Sequence, residues 1–386
     1  RAWLGGSSFR PLLSVHSRPF QSSTTAVSAI PRHKMFRALK WLVAPIALGG
    51  AAVIGGSSKA SGECTAMGKG LCTVAAAEGC RDGHEGVSAE EVAAWADKGW
   101  QEGDAFDSHI HVWGDGEGGF PYDNPPPDAL KPVCDAEKFI ASALKAGVTG
   151  ALIVQPINYK FDHSYVTSVI KKYPKFFKGM ALANPSIPAP QAESYLKTLK
   201  QDGYVALRFN PYLWTGSMAD ESGKAIYAKA GDLGMSVGVM CFKGLSQHMQ
   251  DIRTLLDHSP KTQLIIDHWG FFRQPATGGQ DPSTQISEEA WQDLLSLSKY
   301  PQVHVKLSAL FRVSGDAPPY TDLAPRLSDL LEHYGAERLM WGSDYPYALA
   351  NGGYCPSVET MRGWKLSDSQ AVALGGKTAA KLFSAR

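Results

Sequence analysis

From Ala105 onward the chain alternates short apolar runs with polar loops and amphipathic stretches. The apolar runs are nearly unbroken: Ala151-Leu-Ile-Val154, Val237-Gly-Val-Met240 and Leu264-Ile-Ile266. Strands apolar at consecutive positions are buried on both faces, as in parallel sheets. Eight are predicted: Ala105–His111, Gly150–Gln155, Lys178–Ala183, Val205–Phe209, Ser236–Cys241, Gln263–His268, Val303–Ser308 and Arg338–Ser343. Helical patterns lie between them. DAEKFIASALKAG has an Asp start and a Gly stop, and SEEAWQDLLSLSKY opens on Ser287 with two acids in its first turn. ESGKAIYAKAGDLG and LAPRLSDLLEHYG end at Gly234 and Gly335, and SDSQAVALGGKTAAKLF closes the chain. The alternation predicts an α/β fold, a (β/α)8 TIM barrel over residues 102–386. An open doubly wound sheet is the alternative. It would more often carry a GxGxxG turn after its first strand, and none is present.

Barrel enzymes place their sites at the C-terminal ends of the strands. The polar residues there are His109 and His111 (first), Gln155, Asn184, Arg208 and Asn210 (fourth), Asp267 and His268 (sixth), Ser308 and Arg312 (seventh), and Asp344 (eighth). Residues i and i+2 of a strand face the same way, so the two imidazoles of His-x-His project side by side while Ile110 points away.

Charge separates the start of the chain from the rest. Residues 1–62 hold eight Lys/Arg and no acid, which leaves 30 basic against 37 acidic residues beyond. A net-negative body argues against nucleic acid as a partner. The Arg- and Ser-rich start reads as a targeting sequence with an organellar destination, mitochondrion or plastid. The apolar run Leu42–Gly56 is shorter than the roughly 20 residues of a membrane span. It reads as a second sorting signal, and membrane association would run only through 42–56. Residues 63–101 read as a Gly/Ala-rich linker with a short helix opened by a Ser88–Glu91 capping box, and 1–87 are expected to lack packed structure in isolation. Cys64, Cys72 and Cys80 recur every eight residues, which is not zinc spacing. Cys134, Cys241 and Cys355 are dispersed, and no disulfide framework is expected in the body.

His-x-His on the first strand, Asp-His-x-Gly after the sixth, Lys-Leu-Ser on the seventh and Gly-Ser-Asp-Tyr-Pro on the eighth together resemble the amidohydrolase superfamily. They look like its branch of sugar lactonases, 2-pyrone-4,6-dicarboxylate lactonase and aminocarboxymuconate semialdehyde decarboxylase. The runs ALRFNPYLW, VKLSALFRVS and MWGSDYPY look closer still to plant and algal organellar members. The resemblance covers Phe106 to Phe383. It implies a hydrolase of a small compound and, in many members, a divalent metal with a further ligand, commonly His, on the fifth strand. Here that strand reads VGVMCFKG. Lactonases lacking that ligand are implied to work without metal, so no cofactor is expected. The alternative is one zinc or manganese ion on His109, His111 and Asp344.

Asp344 is the expected general base. His109, His111 and His268 could polarise a carbonyl. Arg208 and Arg312 suit an anionic substrate group, because a planar guanidinium matches a carboxylate. Ser308, Asn210 and Tyr345 are further candidate substrate contacts. Lys306 shares a face with Ser308 and reads as structural. Trp113, Tyr159, Tyr212 and Trp214 could wall a pocket. The expected reaction is opening of a lactone by Asp-activated water. A metal-dependent decarboxylase or amidohydrolase is the second reading, and a non-catalytic binding barrel the third.

Overall fold

Eight parallel strands hydrogen-bond in chain order in the computed structural model, which describes residues 80, 82–273 and 286–384. The strands are β1 (Ala105–Ile110), β2 (Val148–Val154), β3 (Phe177–Leu182), β4 (Tyr204–Phe209), β5 (Ser236–Val239), β6 (Leu264–Ile266), β7 (Val303–Ser308) and β8 (Leu339–Gly342). All eight expected strands are present, and every end falls within two residues of its expected place. Helix α1 (Ala89–Lys98) precedes β1. Around the barrel follow α2 (Ala136–Ala146), α3 (Ser164–Lys172), α4 (Ala192–Gln201), α5 (Glu221–Asp232), α6 (Met249–His258), α7 (Glu288–Ser296), the single turn α8 (Leu310–Val313) and α9 (Ala324–Tyr334). After β8 come α10 (Tyr354–Arg362), α11 (Asp368–Val372) and α12 (Thr378–Phe383). A π-helical segment, Ala373–Lys377, joins the last two. Residue 376 in this segment must be glycine, because a Cβ there would sit 2.3 Å from the Asp104 carbonyl at the foot of β1.

The residues alternate as the period of a strand requires. Phe106, Leu152, Val154, Met180, Ala206, Ile265 and Met340 form one buried cluster, joined by Ala379 and Phe383 of α12. These fill the barrel and close its floor. Ile110, Ala151, Ile153, Leu207, Val237, Val305 and Trp341 belong to the larger cluster shared with the helices. The last helix therefore contributes to the barrel interior as well as to the rim.

Strand β1 carries an irregularity that decides the site. Its register against β2 runs Asp107 with Ala151, then Ile110 with Ile153, so one extra residue lies in β1. A bulge of this kind re-aims side chains. It lets Asp107 and Ile110 sit in line with the outward-packed Ala151 and Ile153, while His111 falls level with the interior Val154. The seam to β8 is then closed by three bonds. Asp344 N donates to His109 O (2.9 Å), His111 N to Tyr345 O (2.7 Å), and Ser343 N to the Asp107 carboxylate (2.9 Å). Gly342 is required at this seam, since a Cβ there would lie 3.0 Å from His109 N and from Ser108 Oγ.

The capping box at α1 is present, with Glu91 N donating to Ser88 Oγ and Ser88 N to the Glu91 carboxylate. The cysteine expectation needs correcting. Cys80 forms a disulfide with Cys355, joining the linker to α10 across 275 residues. Cys355 N also donates to Asp82, and Lys145 Nζ donates to the Glu85 carbonyl, so this part of the linker is tied to the barrel. Spacing alone cannot reveal such a pair, because its partners are remote in sequence and one lies among Gly and Ala. Cys134 and Cys241 are buried free thiols. The segment 1–62 expected to act in targeting, with its apolar run 42–56, and Cys64 and Cys72 lie outside the described residues. Among the described residues, no helix is long and apolar enough to cross a membrane.

Candidate active site

The mouth of the barrel collects buried polar groups from β1, β4, β6, β7 and β8. His109, Asp267, Lys306 and Ser308 are fully buried, and His111, Arg208, His268 and Asp344 nearly so. Three of the strand ends turn sharply. His268 after β6, Ala309 after β7 and Asp344 after β8 all have positive φ (52°, 55° and 64°). Non-glycine residues adopt this conformation uncommonly and at a cost of order 1–3 kcal/mol, and such residues cluster where a side chain must be aimed.

Two carboxylates organise the mouth. Asp344 accepts from Arg312 Nε (2.8 Å), and its Oδ1 faces His111 Nε2 (3.4 Å) and His109 Nε2 (3.8 Å). Burial alone would raise its pKa, but Arg312, His111, His268 and His109 outweigh that and hold it below the usual carboxylate range. Asp267 sits deeper. Arg208 Nε donates to it (3.2 Å), Lys306 Nζ lies 3.4 Å away and His109 Nδ1 3.6 Å away. Burial again raises and the neighbouring Lys306, His109 and Arg208 lower, so Asp267 stays ionised. A fully buried carboxylate is tolerable only with such partners.

The imidazoles differ in their bonding. His111 Nδ1 lies 2.8 Å from the Val154 carbonyl, which can only accept, so Nδ1 carries a proton and Nε2 is the atom turned to Asp344. His109 Nδ1 lies 3.3 Å from Lys306 Nζ, and its Nε2 has no hydrogen-bond partner. Burial, followed by Lys306 and His268, pushes His109 well below the normal histidine range. Burial also takes His268 down to about 3, and its Nδ1 pairs with Ser308 Oγ at 2.8 Å. His109 and His268 are therefore neutral at ordinary pH, with ring centroids 4.4 Å apart.

Of the other expected contacts, Asn210 spends its Oδ1 capping the turn at Tyr212 N. Tyr345 is turned into the helix layer, with its ring 4.9 Å from Phe139 and 5.7 Å from Tyr354. The reason is alternation: Asp344 points to the mouth, so its neighbour points out. Tyr347 takes the place expected of Tyr345. Its ring stacks edge-on to His111 (5.9 Å), and the Arg312 guanidinium lies 5.1 Å above it. Trp113 reaches this group through Tyr347, whereas Trp214 packs on Phe209, Tyr159 on Tyr122 and Tyr165, and Tyr212 on Phe242. Gln155 binds the Lys160 and Asp162 carbonyls in its own loop, and Asn184 caps Ser186. Lys306 had the signal of a site residue, a charge on the face of β7 that Ser308 shares, and the structure places it against both His109 and Asp267.

One divalent ion fits this mouth by reach. His109, His111 and Asp344 each offer a ligand atom within 4.8 Å of the others, and His111 meets the usual pattern of a ligating ring that donates its other N–H to a carbonyl. The charges do not fit. Lys306, Arg208 and Arg312 already surround the two carboxylates, so a doubly charged ion would add to an excess of positive charge at short range. Lys306 also faces His109 from the side where a ligating ring usually finds an acceptor.

The chain is thus a parallel eight-stranded barrel with His-x-His on its first strand and Asp after its eighth. The amidohydrolase family model matches residues 106–385, and the chain belongs to that family. Among curated proteins, the 4-sulfomuconolactone hydrolase of Hydrogenophaga intermedia is 24% identical over 252 residues, 63% of this chain and 75% of that protein. Among solved structures, a probable 2-pyrone-4,6-dicarboxylic acid hydrolase from Acinetobacter baumannii, with citric acid bound, superposes with a TM-score of 0.57 at 20% identity, covering 72% of this chain and 99% of that one. An amidohydrolase from Burkholderia multivorans with bound zinc gives 0.54 at 21% identity, covering 73% and 99%.

Proposed function

We propose that this enzyme opens a lactone or related cyclic ester of a small anionic compound with water, without a metal ion. The carrying observation is the joint placement of Asp344, three buried imidazoles and two guanidiniums at one barrel mouth. The similarity to a hydrolase named for a lactone substrate supports the same reaction class. Asp344 takes a proton from the attacking water. His109 and His268, neutral and buried, supply N–H donors where the carbonyl oxygen gains charge; such donors are worth about 3 kcal/mol each. The alkoxide or enolate of a ring ester then leaves without the stronger activation that an amide needs.

Arg312 has two roles in this reading. It holds Asp344 in place while the site is empty, and it lowers the carboxylate's proton affinity, which weakens a base. An anionic group on the substrate competes for the same guanidinium and so frees the base as it binds. Arg208 keeps Nε on Asp267 and offers the remainder of its fork to the mouth. Arg312→Gln should raise KM for an anionic lactone by about 10–100-fold, as loss of a charged hydrogen bond predicts, while leaving KM for an uncharged ester nearly unchanged. Equal losses on both substrates would remove the carboxylate-binding role.

The test of the whole reading is a panel of lactones and esters assayed with the purified chain, with and without chelator and with added zinc or manganese. Turnover indifferent to chelator is expected. Activity lost on chelation and restored by metal would favour the second reading, a metal-dependent hydrolase or decarboxylase on His109, His111 and Asp344. The acid-free start supports an organellar destination, and the Cys80–Cys355 bridge supports a compartment there that oxidises thiols.

A further inference from the structure

Lys306 lies inside the barrel on β7, fully buried, with its ammonium 3.3 Å from His109 Nδ1 and 3.4 Å from Asp267 Oδ1. An ammonium has donors only. Its approach to Nδ1 is attractive when that nitrogen holds a lone pair and repulsive when it holds a hydrogen. The competing partner, Asp267 Oδ1, is 3.6 Å from Nδ1, beyond hydrogen-bond reach. His109 Nε2 points the other way, to the mouth, 3.8 Å from Asp344 Oδ1.

We propose that Lys306 is a positioning residue that holds His109 in the tautomer with its proton on Nε2, so that His109 enters the reaction as a hydrogen-bond donor and not as a metal ligand. The two histidines of His-x-His then differ. His111 is fixed by the Val154 carbonyl with its proton on Nδ1, and His109 is fixed by Lys306 with its proton on Nε2. One strand thereby presents two imidazoles in opposite states, from neighbours that can only accept and only donate. Burial and the nearby Arg208 lower the Lys306 pKa, and Asp267 is the counter-charge that opposes them and favours the ammonium in the barrel. This rests on the reading of His109 as a donor to the substrate carbonyl, but the tautomer is read without substrate, so a lactone panel that shows no turnover leaves it standing.

The experiment is long-range 1H–15N correlation of the full chain labelled with 15N-histidine, with His109 assigned by the signals that vanish in His109→Gln. In the native protein near neutral pH, His109 should show a protonated Nε2 and a bare Nδ1. A protonated Nδ1 with a bare Nε2 would overturn the proposal, and this reading does not depend on Lys306→Met folding. In Lys306→Met the proton should move to Nδ1 or exchange between the nitrogens, and zinc titrated by calorimetry should bind at least about tenfold tighter than to the native chain. An unchanged His109 signature, or unchanged zinc affinity in a folded Lys306→Met protein, would count against it.

Discussion

At the scale of single residues, the site divides into groups that do chemistry and groups that fix their state. Asp344 belongs to the first set. It follows β8 with a positive φ, and the turn aims its carboxylate at His109 and His111. Asp344→Asn keeps an oxygen for Arg312 but removes the charge that the guanidinium balances, and should cost about 1.5–3 kcal/mol of stability. It cannot take a proton from water, so kcat should fall by roughly 10²–10⁴ with KM little changed. Native turnover in this variant, on the same lactone, would remove Asp344 from the base role. Asp344, His109, His111, His268 and Arg208 were legible in the sequence for one reason. Each is a charged or titratable residue at the C-terminal end of a largely apolar strand, the end where a barrel places its site. Tyr345 looked equivalent because sequence cannot say which way a residue after a strand end turns. Once Asp344 faces in, Tyr345 must face out, and Tyr347 is the ring that meets Arg312. Lys306 was readable as a charge inside a barrel, but its partner His109 comes from a strand 197 residues away.

At the scale of elements, β1 decides the geometry, and its bulge was not legible. Regular alternation would put Asp107 on one face with His109 and His111. The extra residue instead aligns Asp107 with the outward Ala151, beside Tyr354 of α10, while its Oδ1 accepts from His109 N and Ser343 N. That carboxyl joins β1 to β8 across the closure of the barrel. Burial, opposed by those same bonds, raises it from 3.8 to about 7. The sign follows directly. Between pH 4 and 7 the folded state binds a proton at Asp107 that the unfolded chain has lost, so this group's contribution to stability is full below about pH 4 and fades as pH rises through 7. His268 and His109, depressed in the fold, act in the opposite sense below about pH 6.5, the ordinary histidine value. Asp107→Asn isolates the first effect, because the amide oxygen can still accept both backbone bonds. Its stability relative to the native protein, measured by urea unfolding, should improve from about pH 4 to about pH 7 and level off above that. A pH-independent difference would show that Asp107 is not raised. Asp107→Ala should lose both bonds and destabilise by about 1–3 kcal/mol near pH 4, where the native carboxyl is protonated, with the difference shrinking as pH rises towards 7.

At the scale of the whole molecule, the eightfold repeat was legible because parallel strands buried on both faces leave long apolar runs separated by caps and glycines. The tie between linker and barrel was not, since it depends on two cysteines brought together only by the finished fold. Cys80 and Cys355 close a loop of 275 residues. Such a cross-link restricts the unfolded chain far more than the folded one, and bridges of this kind typically stabilise by about 2–4 kcal/mol. The bridge sits at the start of α10, where Cys355 N also donates to Asp82 and Tyr354 lies beside Asp107, so it steadies the outer side of the β1–β8 seam. The catalytic groups themselves are held by bonds inside the barrel mouth, none of which involves the linker. Cys80→Ser, and the double variant with Cys355→Ser, should therefore lower the urea midpoint by an amount equivalent to about 2–4 kcal/mol while keeping kcat on a lactone within about twofold. Reductant should lower the midpoint of the native protein to that of the variants and leave the variants unmoved. A native midpoint insensitive to reductant, with both thiols titratable in the folded protein, would show that the two cysteines are not joined.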